Sequence, residues 1–169
     1  MSSVNIHDVF VSIYITALKS TAHILAKGAA YTKANGISES EVLNWRLAPD
    51  MNPLSFQVQN ICNIAKNLVV IVKGTSLPPT AAEAAETFSG LQAQIANTIE
   101  VLERTTTEDF DGRDQASVTV RELGSRMKGI EYVQNFGVPN LYFHSSMLYA
   151  LFRSHGAPIG KWDYLRGGA

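Results

Sequence analysis

Apolar residues recur with a helical period in four separate stretches of this chain. The first stripe is wide enough for a helix that packs on two neighbours, and the Asn35-Gly36 pair is a signal for its end. The second repeats at alternating intervals of four and three residues, which is the spacing of a bundle seam. The third begins between Thr80 and Thr87 and stops at a run of threonines. The fourth contains Pro139, where a helix either starts or kinks. The four seams are Ile6, Phe10, Ile13, Ala17 and Ile24; Leu54, Val58, Ile61, Ala65, Leu68 and Val72; Phe88, Leu91, Ile95, Ile99 and Leu102; and Val133, Phe136, Asn140, Phe143, Met147 and Ala150.

Capping and turn residues separate these stretches. Ser38 or Ser40 is suited to cap a short helical turn that precedes the second long helix. Asn52 is placed to cap that long helix itself, with Pro53 at its first position. Gly74 should end it, because the prolines that follow prevent a helix from continuing. The chain therefore predicts helices joined by defined breaks.

The stretch before the last helix has a different pattern. From Asp109 to Lys128 the helical period is lost, and weak alternation from Ser117 to Glu122 predicts a short β-hairpin or an extended excursion. We predict an all-α protein in which residues 1–169 form one domain, a four-helix bundle of up-down-up-down type with this excursion before its last helix. The tail from Ala157 to Leu165 is too aromatic for a free end and should pack over the bundle.

The composition narrows the range of partners. Of 169 residues, 46% are hydrophobic and 17% are charged, and the formal net charge is -1. Because the basic residues are also scattered, we expect neither nucleic acid nor an anionic membrane as a partner. We find no signal peptide and no uninterrupted apolar run of about 18 residues, so we expect a cytoplasmic protein. The single cysteine, Cys62, lies between apolar residues and is interpreted as a small buried hydrophobe.

The candidate site lies on the last helix, where Asn140 and His144 are four residues apart and share a face. In a bundle that face could meet Gln57 and Asn60 on the second long helix, with Asp50 in the loop nearby. A neutral imidazole can move a proton, and amides can hold a carbonyl or enolate oxygen. The residues leave three interpretations open for His144: a satisfied core histidine, part of a polar pocket, or a metal ligand.

The remaining histidines carry less chemistry. His23 shares the polar side of the first helix with Lys27 and is interpreted as solvated. His155 follows the last helix closely and is interpreted as a C-terminal cap, where a cation favours the helix dipole. The chain contains no GxSxG, HExxH, P-loop or GxGxxG motif, so serine hydrolase, zincin, NTPase and Rossmann functions lack their signals.

Three segments together resemble an uncharacterised family of bacteria and fungi that is similar to the DinB/YfiT-like helical bundles. They are Leu47 to Gln59, Pro139 to His144, and Arg153 to Lys161 with Asp163-Tyr-Leu165, and the resemblance covers nearly the whole chain. It implies a helical bundle, often dimeric. In the wider superfamily a divalent metal such as nickel or zinc is held by three histidines, one on the second helix and two in an HxxxH on the last.

This chain departs from that metal pattern. In the superfamily an arginine follows the last histidine by nine residues and a glycine follows it by twelve. Arg153 and Gly156 stand at these offsets from His144, so His144 matches the last histidine. Asn140 stands where the first histidine of the HxxxH would be. The position on the second helix falls at or near Gln57 or Asn60. Carboxamides are poor ligands for nickel or zinc compared with imidazole. The resemblance therefore implies the fold but little of the metal chemistry.

These observations give three functional hypotheses. The first is a small-molecule enzyme without a cofactor, of isomerase, cyclase, dehydratase or pericyclic type, that serves secondary metabolism. Its catalytic residues would be His144, Asn140 and Gln57, and its apolar or aromatic substrate would lie among Asp50, Asn60, Phe136, Phe143, Met147 and Tyr149. The second hypothesis is a DinB-like hydrolase or transferase that keeps a divalent metal on His144. The third is a non-catalytic dimeric binding module with a surface patch near Trp45 and Trp162, and for all three we expect a homodimer.

Overall fold

The computed structural model describes residues 5–74, 87–120 and 124–167. Four long helices dominate the described residues, which confirms the four helical stretches of the sequence. Three of them carry a π-helical turn at one end. In chain order the elements are a π-helical turn His7–Val11, α1 (Ser12–Ala34), α2 (Glu39–Leu43), α3 (Leu54–Asn67), a π-helical turn Leu68–Lys73, α4 (Phe88–Glu103), a 3-10 turn Thr107–Phe110, β1 (Ser117–Val120), β2 (Ser125–Lys128), α5 (Gly129–Tyr132), a π-helical turn Val133–Gly137, α6 (Val138–Ser154) and α7 (Lys161–Arg166).

The long helices pack as a ring around one core. α1 and α3 each pack extensively against α4 and α6, whereas α1 and α3 make few contacts with each other and lie diagonally opposite. The first three predicted seams point inward, because apolar side chains at helical spacing bury one face of each helix. The fourth seam is wrong, since Val133 is its only buried member and Phe143 is 53% exposed. α6 is rotated by about one residue from that prediction and buries Leu141, Ser145, Leu148, Leu151 and Phe152. The largest fully buried side chains are Tyr14, Tyr132, Phe110, Phe152, Ile6, Leu18, Ile24, Leu25, Leu54, Ile61, Leu68 and Leu91.

Contacts along α1 give its direction relative to α4 and α6. His7 lies 3.0 Å from the carbonyl oxygen of Thr105, and Gln92 donates to the carbonyl oxygen of Ala22 at 2.8 Å, so α1 and α4 are antiparallel. On α6, by contrast, Gly137 meets the hydroxyl of Tyr14, while Gly28 of α1 meets the ring of Phe152. α1 and α6 are therefore parallel.

The direction of α3 corrects the predicted topology. Its first residue donates to the carbonyl oxygen of Trp45, whose ring packs on Phe152 near the end of α6. Its last turn meets Arg113 through Val72 and Asp109 through Lys73, at the end of the bundle where α4 stops. α3 is therefore parallel to α4, and the up-down-up-down alternation is wrong at this pair.

The physical reason for the error is the connection between α3 and α4. The alternating topology requires a connection that stays at one end of the bundle. Residues 75–86 lie outside the described residues, but a segment of this length can reach about 40 Å when extended, which exceeds the roughly 24 Å length of α4. Such a connection can join opposite ends of the bundle. The start predicted for the third helix, between Thr80 and Thr87, also lies largely outside the described residues.

The predicted hairpin is present. β1 and β2 are antiparallel, with Val118 opposite Met127, and β1 buries Val118 and Val120 against the bundle. Residues 121–123, which include the end of the alternating stretch, lie outside the described residues. Pro139 lies in the first turn of α6, directly after the contiguous helical residues of α5 and the π-helical turn Val133–Gly137. The position at which the sequence predicts a start or a kink is therefore a change from a π-helical to an α-helical turn.

The predicted caps had mixed outcomes. Ser38 accepts a hydrogen bond from the backbone N–H of Glu41 at 3.3 Å and caps α2, as predicted. Asn52 does not cap α3, because Pro53 takes the capping position and α3 has no side-chain cap among its described contacts. The carbonyl oxygen of Asn52 instead accepts a hydrogen bond from the side chain of Gln57.

The helical stretch His7–Ala34 is the candidate membrane span among the described residues. It is 28 residues long and apolar enough, by length and composition only, to cross a membrane. The sequence was searched only for uninterrupted apolar runs, whereas a high mean hydropathy can also arise from a stretch that contains some polar residues. Half of its most apolar window is buried inside the protein, as is common for a core helix, so the finding is weak evidence for a membrane span.

The C-terminal tail packs over the bundle through α7. Asp163 of α7 lies 2.8 Å from both His23 and Lys27 of α1. His23 is therefore paired with a carboxylate, and its interpretation as a solvated histidine is wrong because the tail covers it. His155 follows α6 as its capping residue, and its ring stacks on the buried ring of Trp45 at 3.7 Å, so Trp45 offers no exposed patch.

Candidate functional site

The packing of α3 against α6 brings three polar side chains together. The Nδ1 atom of His144 lies 2.7 Å from Oε1 of Gln57, and its Nε2 atom lies 2.7 Å from Nδ2 of Asn60. Gln57 and Asn60 are three residues apart on α3 and so face the same way. We call His144, Gln57 and Asn60 the polar node.

The hydrogen bonds of the polar node define the tautomer of its imidazole. The carbonyl oxygen of Asn52 can only accept, so the Gln57 amide nitrogen, 2.9 Å away, donates to it. Oε1 of Gln57 then faces His144 and can only accept, so Nδ1 of His144 carries the proton. Nε2 accepts in turn from the amide of Asn60. The arrangement is a directed chain of hydrogen bonds that a neutral imidazole satisfies on both sides.

The surroundings of His144 favour that neutral form. Burial lowers the pKa of His144 below the ordinary value of an imidazole. The rings of Phe143 and Phe56 meet the imidazole edge to face, with centroids 5.1 and 6.0 Å away. A protonated ring would need an acceptor at Nε2, where Asn60 presents a donor. The polar node therefore holds an uncharged imidazole near neutral pH.

Only part of the predicted site lies at this node. Phe143 is at its edge and is 53% exposed, and Asn140 is half-buried one turn away, with no hydrogen bond to the node among the described contacts. Asp50 is exposed in the loop before α3, and Met147 is half-buried on α6. Asp50 was expected near the site because its loop precedes α3. The loop instead contacts the polar node through the carbonyl oxygen of Asn52, which accepts a hydrogen bond from Gln57.

Two predicted pocket residues pack elsewhere. Phe136 lies in the π-helical turn before α6 and packs on Tyr132, with ring centroids 5.9 Å apart. Tyr149 meets Tyr164 of α7 at 5.9 Å on another side of α6. Sequence reasoning missed Phe56, although its position directly before Gln57 within a matched segment could have indicated it. It also missed the backbone carbonyl of Asn52, for which a sequence carries no signal.

Cavities occur at several places in the fold. Four of them, lined by described residues, have volumes from 170 to 600 Å³, and His144 lines none of these four. The smallest lies between α6 and α7 and includes Tyr149 with Ser146, Lys161 and Tyr164. His144 itself is half-buried, so the polar node is reached from the surface of the bundle.

The comparison with known families covers almost the whole chain. Residues 6–165 match the family described as "Domain of unknown function (DUF1993)". The chain belongs to the DUF1993 family. The resemblance predicted from the sequence, to an uncharacterised DinB-like family, is thereby confirmed.

A solved structure relates the DUF1993 fold to DinB proteins. The chain is similar to the crystal structure of a DinB family member from Shewanella denitrificans, with a TM-score of 0.85 and 30% sequence identity. The similarity covers 95% of this chain and 91% of the other. No curated protein matches the chain. These comparisons identify a mostly helical, DinB-like fold and no specific activity.

The donor set of this DUF1993 protein does not fit the metal that the DinB resemblance implies. Carboxamides, which nickel and zinc bind poorly, stand where the resemblance places two of the three imidazoles. Both ring nitrogens of His144 are engaged by those carboxamides, one as donor and one as acceptor. Within residues 5–74, 87–120 and 124–167, no three His, Cys, Asp or Glu side chains form a group suited to a metal ion. We therefore derive no chemistry through a metal.

Proposed function

We propose that this protein binds a small neutral organic molecule, apolar or aromatic in body, at the polar node and converts it without a metal. Isomerisation, cyclisation, dehydration or a pericyclic step would need no cofactor. The observation that carries the proposal is the neutral, half-buried His144 held between two carboxamides and edged by two phenyl rings. Such a set offers hydrogen-bond donors and an acceptor to a carbonyl or hydroxyl group, and aromatic surface to an apolar body.

The roles of the three side chains follow from their hydrogen bonds. Asn60 is partly exposed and can turn its amide from Nε2 of His144 to a substrate oxygen. Nε2 then becomes a free acceptor for a substrate proton, and the proton on Nδ1 stays in place. Oε1 of Gln57 stabilises the imidazolium formed, because its accepted hydrogen bond strengthens when the donor is charged. Asn140, one helical turn before His144, would contact the body of the substrate. We expect the protein in the cytoplasm.

The first test measures metal and ligand binding together. Untagged protein purified without chelator should contain far less than one equivalent of nickel or zinc, both in the wild type and in His144→Ala. Acetophenone, used as a neutral aromatic ketone, should shift the NMR signals of the Gln57 and Asn60 side-chain amides in the wild type. The shifts should disappear in His144→Phe and persist in His23→Phe, which removes a histidine on the far side of α1.

Two outcomes would overturn the proposal. Near-stoichiometric metal that His144→Ala removes would restore the DinB-like metalloenzyme hypothesis. Acetophenone shifts that are equal in His144→Phe and the wild type would exclude the imidazole from recognition. For turnover, a substrate found by screening should be converted by the wild type and by His23→Phe but not by His144→Phe.

An exposed aromatic pair favours a second candidate function, a dimeric binding module. Tyr142 is 40% exposed and Phe143 is 53% exposed, side by side on α6. Adjacent exposed aromatic side chains are enriched at protein interfaces. If they mediate a homodimer, light scattering should give twice the chain mass for the wild type and the monomer mass for Tyr142→Ser. An unchanged mass for the variant would exclude this pair from the interface.

A further inference from the structure

The largest of the four cavities described above is a cleft at the end of the bundle where α3 stops. It has a volume of about 600 Å³ and lies between the π-helical turn Leu68–Lys73 and strand β1. That volume is within the roughly 300–1,000 Å³ typical of small-molecule sites. Its walls combine apolar and polar side chains, including Val70, Ile71, Asn67, Arg113, Ser117 and Thr119. Asn67 lies two helical turns beyond Asn60, so this cleft is separate from the polar node.

Arg113 is the charged residue among those that line this cleft, and none of the described carboxylates pairs with it. Its Nε–H donates to the carbonyl oxygen of Val72 in the π-helical turn. No carboxylate of the described residues forms an ion pair with it. The nearby acids have other partners, since Asp109 pairs with Lys73 at 2.8 Å and Asp111 accepts from Asn5 at 3.2 Å. The Nη1 and Nη2 edge of the half-buried guanidinium therefore has no anionic partner in residues 5–74, 87–120 and 124–167.

The backbone next to Arg113 makes room for its guanidinium. Gly74 ends the π-helical turn with φ of +78°, a conformation that favours glycine. A Cβ atom at this position would lie 2.6 Å from Nη2 of Arg113. Because any side chain at Gly74 would push against the guanidinium, glycine allows Arg113 to lie against the turn. The fork-shaped edge of an arginine held in this way matches two oxygens of a carboxylate or a phosphate.

We propose that this cleft binds an organic oxyanion, a carboxylate or a phosphate monoester on an apolar body. Arg113 binds the oxyanion through Nη1 and Nη2. Asn67, Ser117 and Thr119 offer further hydrogen bonds, and Val70 and Ile71 contact the apolar part.

The experiment uses three probes with a common phenyl ring, which are benzoate, phenyl phosphate and benzamide, the neutral analogue of benzoate. Each is titrated into the full-length protein and followed by calorimetry and by NMR shifts of Ser117, Thr119 and the Asn67 side chain. Benzoate or phenyl phosphate should bind and shift these signals, and benzamide should not. Whichever of the two anions binds more tightly identifies the oxyanion class. Tighter binding of benzamide, or no shift at these residues with any probe, would overturn the proposal.

Two variants test the role of Arg113. Asn67→Asp is nearly isosteric and places a carboxylate in the wall of the cleft, where it repels the probe and can pair with Arg113. Arg113→Gln removes the charge itself. Either change should weaken anion binding roughly 10- to 100-fold, as expected for loss of a charged hydrogen bond. The matched control is Arg104→Gln, which removes an exposed arginine that pairs with Glu100 on α4 and should leave binding unchanged.

The two variants also separate binding from folding. Arg113→Gln can lower stability because it gives up the bond to the Val72 carbonyl, whereas Asn67→Asp keeps that bond. If Asn67→Asp is folded, as judged by circular dichroism, and binds benzoate or phenyl phosphate as tightly as the wild type, the proposal is wrong. This result would leave the function proposed for the polar node unaffected, because that site is tested with a neutral probe and other variants.

Discussion

The bond between Gln57 and His144 is the most informative single interaction to test by mutation. Gln57 is only 3% exposed, so its Oε1 atom has no ready access to water if the imidazole is removed. In His144→Phe a phenyl ring replaces the imidazole and leaves this oxygen without a donor. A buried acceptor without a partner costs about 1–3 kcal/mol of unfolding free energy. The loss of the second bond, to Asn60, should cost less because Asn60 is half-buried and can turn to solvent.

A double-mutant cycle isolates this bond. Gln57→Met keeps the shape of the side chain and removes both of its polar atoms, which leaves Nδ1–H of His144 without an acceptor. The carbonyl oxygen of the exposed Asn52 also loses its donor, but water can replace it. When Gln57→Met and His144→Phe are combined, no buried polar atom of the pair is left. The combined loss should therefore be smaller than the sum of the single losses by about 1–2 kcal/mol.

Urea unfolding at pH 7.5 is the assay, since His144 is neutral there in both folded and unfolded chains. The midpoint and slope are measured for the wild type, the two single variants and the double variant. A parallel cycle on Glu100→Gln and Arg104→Gln provides the control, because this exposed i,i+4 pair should show a coupling of only about 0.3–0.5 kcal/mol. If the losses for Gln57 and His144 add to within about 0.5 kcal/mol, the two side chains are not coupled and the polar node is not formed as described.

Three further predictions concern buried titratable groups. Burial lowers the pKa of His144, so its imidazole should titrate below about pH 6.5 by NMR. As the pH is lowered, the unfolded chain therefore binds this proton before the folded chain does. The free energy of unfolding should be greatest above about pH 6.5 and should fall as the pH is lowered through the folded pKa. In His144→Phe that part of the pH dependence of urea unfolding should vanish, and an assigned His144 signal that titrates above about pH 6.5 would contradict the burial. Tyr14→Phe should leave the unfolding free energy unchanged or raise it by up to about 1–2 kcal/mol, because the buried hydroxyl of Tyr14 has no hydrogen-bond partner in the described part of the chain. A loss above about 1 kcal/mol in urea would show that the hydroxyl has one. Cys62 is buried, and its burial raises the pKa of the thiol to about 11, so Ellman's reagent at pH 8 should label it only after unfolding, and rapid labelling of native protein would refute this.

The sequence indicated the polar node because its residues lie at helical spacings beside apolar seams. Gln57 and Asn60 flank the buried face of α3, and His144 flanks that of α6, so antiparallel packing of these two helices can bring them close. Asn140 shares its side of α6 with His144 by spacing alone. Its position relative to the node depends on how α6 is rotated against α3, and buried residues such as Leu141 decide that rotation. Spacing along one helix does not contain this information.

Features that depend on distant parts of the chain were not predictable in this way. The partner of His23 is Asp163, which lies 140 residues further along. No local period relates the two, so His23 looked solvated on a polar helix face. The parallel pairing of α3 with α4 depends likewise on where the segment 75–86 leads. Hydrophobic periodicity gives the inward face of each helix but not its direction, and capping signals give only its ends.

The contact between α1 and α6 has a consequence for how the chain folds while it is being synthesised. The face of α1 that carries Gly28 packs on the ring of Phe152, and about 120 residues of chain separate the end of α1 from the end of α6. At a synthesis rate of about 5–20 residues per second, the end of α6 is synthesised roughly 6–24 s after the end of α1. During that interval its apolar face is open to chaperones or to neighbouring nascent chains. The bundle therefore closes only when its last long helix has left the ribosome, and truncation before residue 154 should give an aggregation-prone chain.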